Sequence, residues 1–430
     1  MPSSELATCG GCGLVCDDIE LAGERLVRTC PLGEAWFVER LAPPPPLARV
    51  DGREVELDAA LDAAAAILRE ARAPLVYGLG RTTCEAQRAA VALAEALGAA
   101  VELAGPRLDG ASGLALQARG ASTATLGDVR DRAEVVVIWR ADPVTTHPRL
   151  LERLRLPAEG RELVVVDEQR TATAEAADTF IEIGDEVDAL MRLRALVREP
   201  SAAGDAAGGT EAVSSADGAE GGASAGRAEG VSPAGGDAAA RREAPAAGGE
   251  PELRDLAARL RAAENVAVLH HVRGHVAALQ LQALVRDLGR DTHAVSMTLR
   301  REANAAGAED VLAWQTGYPA AVSFARGHPT ERAGAVEAAD AALVVSADPL
   351  ADPPAVAAER LRAIPLIAIT PIVTVTAEAA RVAIAPAAAG LYRRGVVHRL
   401  DGVPVPLRAP LRSDRPGDDE VLTMLEERLR

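Results

Sequence analysis

The sequence of 430 residues contains no lysine, and tryptophan, tyrosine and phenylalanine each occur only three times. Arginine therefore carries nearly all of the positive charge, and the formal net charge is −17. Because nucleic acids and anionic lipids are bound through positive surface, this balance disfavours both as partners. There is no charged-then-apolar leader and no apolar run near the ~20 residues that a membrane helix requires. These absences predict a soluble, cytoplasmic protein.

Four of the five cysteines lie in one short segment with the spacing C-x2-C-x3-C-x13-C: Cys9, Cys12, Cys16 and Cys30. In a reducing compartment, clustered thiols indicate a metal or iron–sulfur site rather than disulfides. Four thiolates hold either an iron–sulfur cluster or a structural zinc, so ligand type alone leaves both possible. Zinc sites commonly use two C-x2-C pairs, whereas here three cysteines crowd together. The spacing therefore argues against zinc, and an empty site is the third possibility.

Several other residues have the chemistry of a site but favour a structural interpretation. Cys84 lies in the helical pattern TTCEAQRAAVALAEAL, where a small buried side chain is favoured over a reactive thiol. His147 precedes Pro148 and is favoured as a loop or helix-cap residue. His270, His271 and His275 occur in AVLHHVRGH. Neighbouring strand residues point to opposite faces, so these three are interpreted as strand-end histidines rather than a metal site.

The composition divides the chain into five regions. Residues 200–250 are rich in Ala, Gly, Ser and acids, with Val213 and Val231 almost their only large apolar residues. Such a segment buries too little apolar surface to offset the entropy of ordering, which predicts a flexible insert. We expect a four-cysteine segment at 1–50, an α/β half at 51–199, the insert at 200–250, a second α/β half at 251–390 and a C-terminal segment at 391–430.

The two halves share an order of motifs. AEVVVIWRADP at 133–143 precedes ELVVVDEQRTATAEAADTFIEI at 162–183, and DAALVVSADP at 340–349 precedes PLIAITPIVTVTAEAARVAIAP at 365–386. The Thr-x-Thr-Ala-Glu-Ala-Ala heptads at 171–177 and 374–380 agree at six of seven positions. Alanine bias does not explain this strand, Asp-Pro, strand, Thr-x-Thr order, which indicates an internal repeat.

Apolar runs rich in Val, Ile and Leu alternate with helical patterns throughout both halves. The runs include APLVYGLG, AEVVVIW, ELVVVD, NVAVLHH, AALVVS and PLIAIT, and the helical patterns include LDAALDAAAAILREA and PAVAAERLRA. This alternation predicts an α/β fold with two related open parallel sheets, one in each half. Ligands of such sheets bind at the carboxyl ends of the strands, which predicts one common cleft. The residues expected there are Arg140, Asp142, Asp167, Thr171 and Asp348, of which Asp142 and Asp348 are expected to cap their loops.

Together these motifs resemble the molybdopterin and tungstopterin oxidoreductases, and specifically the B subunit of formylmethanofuran dehydrogenase. The matching residues are CGGCGLVCDDIEL, RTCPLGEAWF, LVYGLGRTTCEAQ, SGLALQARG, TLGDVRDRAEVVVIWRADPVTTHPR, TGYPAAVSF and LDGVPVPLR, which span nearly the whole chain except the insert. The resemblance implies the fold of formate dehydrogenase domains 1–3 and a [4Fe-4S] cluster on the four cysteines. It also implies one-carbon metabolism in which formyl groups are carried on methanofuran and tetrahydromethanopterin.

The catalytic chemistry of that family does not transfer intact. A Cys-His-Gly-Pro motif of the dehydrogenases supplies a metal-ligating cysteine and a histidine that assists catalysis, and these positions are Leu108 and Asp109 here. Leucine offers a soft metal no lone pair, and a carboxylate lacks imidazole's proton chemistry near neutral pH. Arg140 replaces a glycine that lets a pyrophosphate approach, Glu168 adds negative charge nearby, and Tyr-Arg-Arg-Gly-Val at 392–396 replaces E-x-E-G-T. These departures predict that molybdopterin and tungstopterin are absent.

Three functions compete. The sequence favours a non-catalytic scaffold subunit of a bacterial formyltransferase/hydrolase complex in methylotrophy, in which an amidohydrolase-like partner releases formate and another subunit transfers the formyl group. Arg300 matches an active-site arginine of the family and would then serve packing or a salt bridge. The alternative is an active tungsten or molybdenum dehydrogenase subunit whose metal takes a ligand elsewhere, for example Cys84. The whole-chain resemblance disfavours a third possibility, an unrelated metal-binding or regulatory protein.

Overall fold

The computed structural model describes residues 5–23, 25–103, 109–199, 249–331, 334–351 and 355–430. The predicted insert lies outside these residues except for Gly249 and Glu250, and Leu108 also lies outside them. Within the described ranges, no helix combines the length and the apolar character that crossing a membrane requires.

Most central strands coincide with the apolar runs of the sequence. The described strands are β1 (Glu5–Ala7), β2 (Ile19–Ala22), β3 (Arg25–Val27), β4 (Ala48–Val50), β5 (Arg53–Glu54), β6 (Pro74–Gly78), β7 (Ala100–Leu103), β8 (Val135–Trp139), β9 (Glu162–Asp167), β10 (Thr179–Glu182), β11 (Asn265–His270), β12 (His293–Thr298), β13 (Val322–Ser323), β14 (Thr330–Glu331), β15 (Ala341–Val345), β16 (Leu366–Ile369), β17 (Val382–Ile384), β18 (Gly395–His398) and β19 (Pro404–Leu407).

The longer helices follow the amphipathic patterns. The described helices are α1 (Pro31–Leu41), α2 (Leu57–Glu70), α3 (Cys84–Leu97), α4 (Asp109–Arg119), α5 (Leu126–Arg132), α6 (Pro143–Thr146), α7 (Leu150–Leu154), α8 (Ala172–Glu175), α9 (Glu186–Arg198), α10 (Glu250–Ala262), α11 (His275–Leu288), α12 (Ala305–Thr316), α13 (Ala335–Ala338), α14 (Ala355–Arg362), α15 (Val375–Ala379) and α16 (Asp418–Leu429).

The first large sheet has five strands in the order β10-β9-β8-β11-β12, and all of its pairings are parallel. Every residue of β8 is buried, as expected for a parallel strand covered on both faces. One face packs on α9, α10 and α11. The other face packs on the cysteine segment, so that Val136 and Ile138 share a core with Cys9 and Phe37.

The second large sheet has nine strands in the order β14-β13-β7-β6-β15-β16-β17-β4-β5. Its five central strands, from β7 to β17, are parallel. The strands added at both edges are antiparallel. The prediction of parallel sheets is therefore confirmed for the sheet centres and wrong for these edges, whose strands of two to three residues carry little sequence signal.

Each sheet takes strands from both sides of residues 200–248. The strands β8 to β10 pair with β11 and β12, whereas β15 to β17 pair with β6 and β7. The expectation of one sheet in each half is therefore wrong. Each half contributes a pair of strands, β6 and β7 or β11 and β12, followed by a group of three, β8 to β10 or β15 to β17. Each pair joins the group of three from the other half. Periodicity reveals that a strand is buried, whereas the choice of its neighbour depends on packing between distant segments.

Candidate functional site

The cysteine segment forms a tight loop between β1 and β2. The backbone N–H of Cys9 donates to the carbonyl of Cys16 at 2.8 Å, and that of Val15 donates to Cys12 at 3.1 Å. Cys9, Cys12 and Cys16 are buried, and Cys30 precedes the first residue of α1. The loop therefore buries three of the cysteines, and the fourth stands directly before that helix.

This loop is fixed to the carboxyl end of the first sheet. Gly13 donates its N–H to the carbonyl of Arg301 at 3.0 Å, and a Cβ at Gly13 would overlap the carbonyl oxygen of Arg300. Asp18 accepts two hydrogen bonds of 2.8 Å from the guanidinium of Arg149 and one of 2.7 Å from Arg153. Sequence reasoning missed this anchor, although Asp18 follows the third cysteine almost directly.

The four thiols match the donor set of an iron–sulfur cluster, and the sulfurs of Cys9 and Cys30 both lie beside Gly33. Burial, together with repulsion from the neighbouring thiolates, raises the pKa of Cys9 and of Cys12 to about 12. Among the described side chains, however, no group of three or more His, Cys, Asp or Glu has the geometry of a metal site. The donor chemistry fits a cluster, and the cluster itself stays a prediction.

A first cleft of about 220 Å³ lies at the carboxyl ends of β8, β9, β11 and β12. Its lining includes four of the predicted residues, Arg140, Asp142, Asp167 and Thr171. Arg140 has φ of 54° and a side chain that is only 1% exposed. Its guanidinium donates to Asp167 at 2.8 Å and to Glu168 at 2.6 Å.

A further acid contacts residues next to this cleft. Glu186 accepts hydrogen bonds from the indole N–H of Trp139 at 3.1 Å and from the backbone N–H of Arg273 at 2.9 Å. Burial raises the pKa of Glu186, while the charge of Arg140 opposes that rise. Arg140 is therefore a buried cation surrounded by acids of its own chain. The resemblance places the cofactor pyrophosphate at this loop, where the guanidinium of Arg140 is already engaged by Asp167 and Glu168. Arg273 and Arg301 also line the cleft, and Arg273 lies 3.5 Å from Glu168.

A second cleft of about 60 Å³ lies at the carboxyl ends of β15 and β16, beside α1. Its lining includes Asp348, Ser346 and Thr370 together with Trp36 and Arg40. The two clefts share no lining residue, so the expectation of one common cleft is wrong. The two repeated Asp-Pro loops end on different sheets, and each sheet has its own cleft at that end.

The repeated Asp-Pro loops make the same contacts in both sheets. One carboxylate oxygen of Asp142 accepts from the backbone N–H of Thr173 at 3.0 Å and from its hydroxyl at 2.5 Å. The matching oxygen of Asp348 accepts from the same groups of Thr376 at 2.8 and 2.6 Å. Each aspartate thus joins its own loop to the helix that follows the next strand. These contacts confirm the predicted loop-capping role and extend it across two loops.

A third cavity, of about 220 Å³, lies between β12, α4 and α12 and is lined in part by Arg300 and Glu309. Arg300 donates to Glu309 at 2.6 Å, which confirms the expected salt bridge. Asp109 begins α4 nearby, and Leu108 lies outside the described residues. Glu309 had no distinguishing sequence pattern, so its pairing was not predicted.

His147 is a buried structural residue, as the sequence suggested. Its Nε2 lies 2.7 Å from the carbonyl oxygen of Arg300, and its Nδ1 lies 2.9 Å from the hydroxyl of Thr146. Because a carbonyl only accepts, Nε2 carries the proton and Nδ1 accepts from Thr146. Burial lowers the pKa of His147 to about 4, so the ring is neutral near pH 7.

The other candidate histidines do not converge on a metal. His270 is the last residue of β11, is fully buried, and has its pKa lowered to about 3 by that burial. His271 follows the strand, and His275 begins α11. The described residues contain no metal-binding group that unites them, and the strand-end interpretation is confirmed for His270.

Cys84 is the first residue of α3 and is half-buried. The side-chain amide of Asn304 donates to its sulfur at 3.6 Å, and burial raises the pKa of the thiol. Cys84 lines none of the three clefts described above. This geometry favours the structural interpretation over a metal ligand within a cleft.

Fold and site together define an α/β protein with two large sheets whose central strands are parallel. Each sheet takes strands from both halves of the chain, and the four-cysteine segment packs at the carboxyl end of the first sheet. The chain is 31% identical over 437 residues to the B subunit of tungsten-containing formylmethanofuran dehydrogenase 2 of Methanocaldococcus jannaschii, covering 93% of this chain and 92% of that protein. It is 29% identical over 456 residues to the protein of the same name from Methanococcus maripaludis, covering 97% and 96%. The chain belongs to the family of formylmethanofuran dehydrogenase B subunits.

Two further similarities come from Methylorubrum extorquens. The B subunit of the formyltransferase/hydrolase complex Fhc is 29% identical over 283 residues, covering 65% of this chain and 67% of that protein. A chain in the crystal structure of the formyltransferase/hydrolase complex FhcABCD with methylofuran superposes with a TM-score of 0.65 at 27% identity, covering 89% of this chain and 98% of that chain. No protein-family model matches the sequence.

Proposed function

We propose that this chain is the B subunit of a formyltransferase/hydrolase complex, and that it supports the complex structurally rather than catalysing a redox reaction. Its partners would be an amidohydrolase-like subunit and a formyltransferase subunit of one-carbon metabolism. Membership is supported by the similarity to a chain of the FhcABCD complex over 98% of that chain's length.

The main support for a non-redox role is the buried side chain of Arg140. Its guanidinium lies between Asp167 and Glu168 at 2.8 and 2.6 Å, inside the cleft that would accept an anionic cofactor. A cofactor pyrophosphate there would meet the carboxylates of Glu168 and Asp167, and the guanidinium of Arg140 is already engaged by both of them. Leu108 stands where the family has its metal-ligating cysteine, and a leucine side chain cannot bind the metal, which also argues against a redox role.

We also propose a [4Fe-4S] cluster on Cys9, Cys12, Cys16 and Cys30. The support is the donor set, the burial of three thiols and the anchoring of their loop by Asp18. A cluster in this position would hold the loop against α1. The test is the visible absorption of the chain purified anaerobically, which Cys12→Ala should abolish if the cluster is present.

The function is tested by producing the chain with its natural partner subunits and supplying formyl-methanofuran. The expected result is release of formate without any electron acceptor. Reduction of a viologen dye coupled to formate oxidation would instead show an active dehydrogenase.

That dehydrogenase is the second candidate, since two relatives named tungsten-containing enzymes align over more than nine-tenths of this chain. Leu108→Cys distinguishes the two possibilities. If the site is vestigial, the wild-type chain takes up no tungsten or molybdenum, and any uptake requires the restored thiol. Uptake by the wild-type chain would favour the dehydrogenase.

A further inference from the structure

One face of α1 carries an exposed apolar ridge. Leu32, Ala35, Val38 and Leu41 recur every three residues, and all four are exposed. The exposed fractions of Leu32, Val38 and Leu41 are 37%, 60% and 39%. Residues at a spacing of three form one of the two rows through which helices pack against neighbours. Gly33 and Phe37 lie on the buried side of the helix, and Phe37 packs in the cysteine-segment core.

The ridge continues into a second exposed apolar element. The proline run that follows α1 borders a groove in which Pro45 and Pro46 face Ile372 and Val373. Ile372 also lines the second cleft together with Trp36 of α1, so the 371–375 loop lies beside that helix. We call the combined surface the apolar strip. It comprises Leu32, Ala35, Val38, Leu41, Pro45, Pro46, Ile372, Val373 and Val375.

Exposed large apolar side chains cluster in the apolar strip. Eleven large hydrophobic side chains are exposed in the described ranges, and five of them belong to the strip. Val373 and Val375 are 58% and 46% exposed. Contiguous exposed apolar surface with a polar rim is typical of protein interfaces, whereas isolated exposed residues such as Met191 are ordinary.

The exposed rim of the strip carries more acidic than basic side chains. Glu34 and Glu39 flank the ridge on α1, and Glu378 is exposed beside the 371–375 loop. Glu39 is paired with Arg40 at 3.2 Å, and Arg49 lines the proline groove. A second copy of this chain would bring the same acids face to face, and like charges across an interface are costly. An anionic membrane is disfavoured for the same reason. The chain's own residues 200–248 offer only Val213 and Val231 as large apolar side chains.

We infer that the apolar strip is the docking surface for another subunit of the complex, one that presents an apolar patch rimmed by arginine or lysine. This inference rests on the proposed function, because it requires a hetero-oligomeric partner. The helix that follows the fourth cysteine would then hold the partner directly over the cysteine loop.

The experiment compares Val38→Glu with Met191→Glu in chains produced together with the natural partner subunits. The two positions are 60% and 55% exposed and both lie on helices, so folding should tolerate either change. Native mass spectrometry of the purified mixture measures the assembled fraction, and far-UV circular dichroism checks the fold. We expect Val38→Glu to weaken assembly about tenfold or more, and Met191→Glu to assemble as the wild type does.

A rim variant provides independent evidence. Glu34→Arg leaves the apolar ridge intact, and it should weaken assembly and reduce its salt dependence. Normal assembly of both Val38→Glu and Glu34→Arg would overturn the docking surface while leaving the proposed function standing. Failure of the wild-type chain to assemble would overturn the proposed function instead. A homodimer of the isolated chain that Val38→Glu abolishes would identify a second copy as the occupant and contradict the inference.

Discussion

Arg140 places a buried positive charge in the first cleft, at a position where the resemblance indicates a glycine. A left-handed backbone conformation favours glycine, and the resemblance indicates that glycine stands here in the dehydrogenases. In this chain the position keeps that backbone conformation, with φ of 54°, but carries a long cationic side chain. The guanidinium supplies within the protein the positive charge that two neighbouring acids require. The side chain of Arg140 therefore occupies part of the cleft and is paired there with Asp167 and Glu168.

Arg140→Gly should destabilise the protein, because it leaves the buried carboxylate of Asp167 without its cation. Loss of one partner of a buried pair typically costs about 3–5 kcal/mol, and relief of the left-handed conformation returns about 1 kcal/mol. We expect the free energy of unfolding to fall by about 2–4 kcal/mol in urea titrations. Arg155→Gly is the matched control, since Arg155 has φ of 55° but an exposed side chain. Equal effects of the two substitutions would contradict the account.

His147 makes stability depend on pH. The unfolded chain binds a proton at this side chain near pH 6.5, whereas burial lowers its pKa in the folded chain to about 4. As the pH falls from about 6.5 to 4, the unfolded state gains a proton that the folded state lacks, so stability decreases. The loss approaches about 1.4 kcal/mol per pH unit and levels off below the folded pKa.

His147→Gln retains a side-chain N–H for the carbonyl of Arg300 but does not titrate. We expect a shallower decrease of the unfolding free energy between pH 6.5 and 4 than in the wild type. His328→Gln, at an exposed position, serves as the control and should keep the wild-type slope. An unchanged slope in His147→Gln would show that this histidine is already protonated in the folded protein.

At the scale of elements, the two Asp-Pro loops act as equivalent connections. Asp142 and Asp348 each bind the backbone N–H and hydroxyl of a threonine in the helix beyond the next strand. Asp142→Ala and Asp348→Ala should each cost about 2–3 kcal/mol in unfolding free energy, because they leave those donors without an acceptor. The exposed Asp131→Ala should change stability by less than about 0.5 kcal/mol. Effects of different size at the two loops would argue against their equivalence.

The repeated motif was visible in the sequence because both copies need the same residues for the same contacts. Strands such as β8 and β15 were also predictable, since parallel strands buried on both faces are continuous apolar runs. The short edge strands β5, β13 and β14 were not, because two residues carry no periodicity. Glu309 and Glu186 were missed as partners of buried groups, since a single acid in a helix usually faces solvent.

At the scale of the whole molecule, the exchange of strands makes the two halves depend on each other. The first sheet needs β11 and β12 from beyond residue 248, and the second needs β6 and β7 from before residue 200. Neither half therefore contains all the parallel strands of either large sheet. The chain should therefore unfold as one cooperative unit despite the composition break at 200–250.

A protease site introduced near residue 225 tests this dependence. After cleavage, we expect the two fragments to elute together in size-exclusion chromatography and to unfold in a single transition. Fragments that separate and retain their circular dichroism individually would support independent halves.

The central claim is that this family member supports a complex without the redox metal. Its most direct test is elemental analysis for iron, zinc, molybdenum and tungsten, on the chain purified anaerobically with its natural partners. The account predicts about four irons per chain, held by the four cysteines, and no molybdenum or tungsten. Stoichiometric molybdenum or tungsten would contradict it and would make this chain a redox subunit that binds its metal without the usual cysteine.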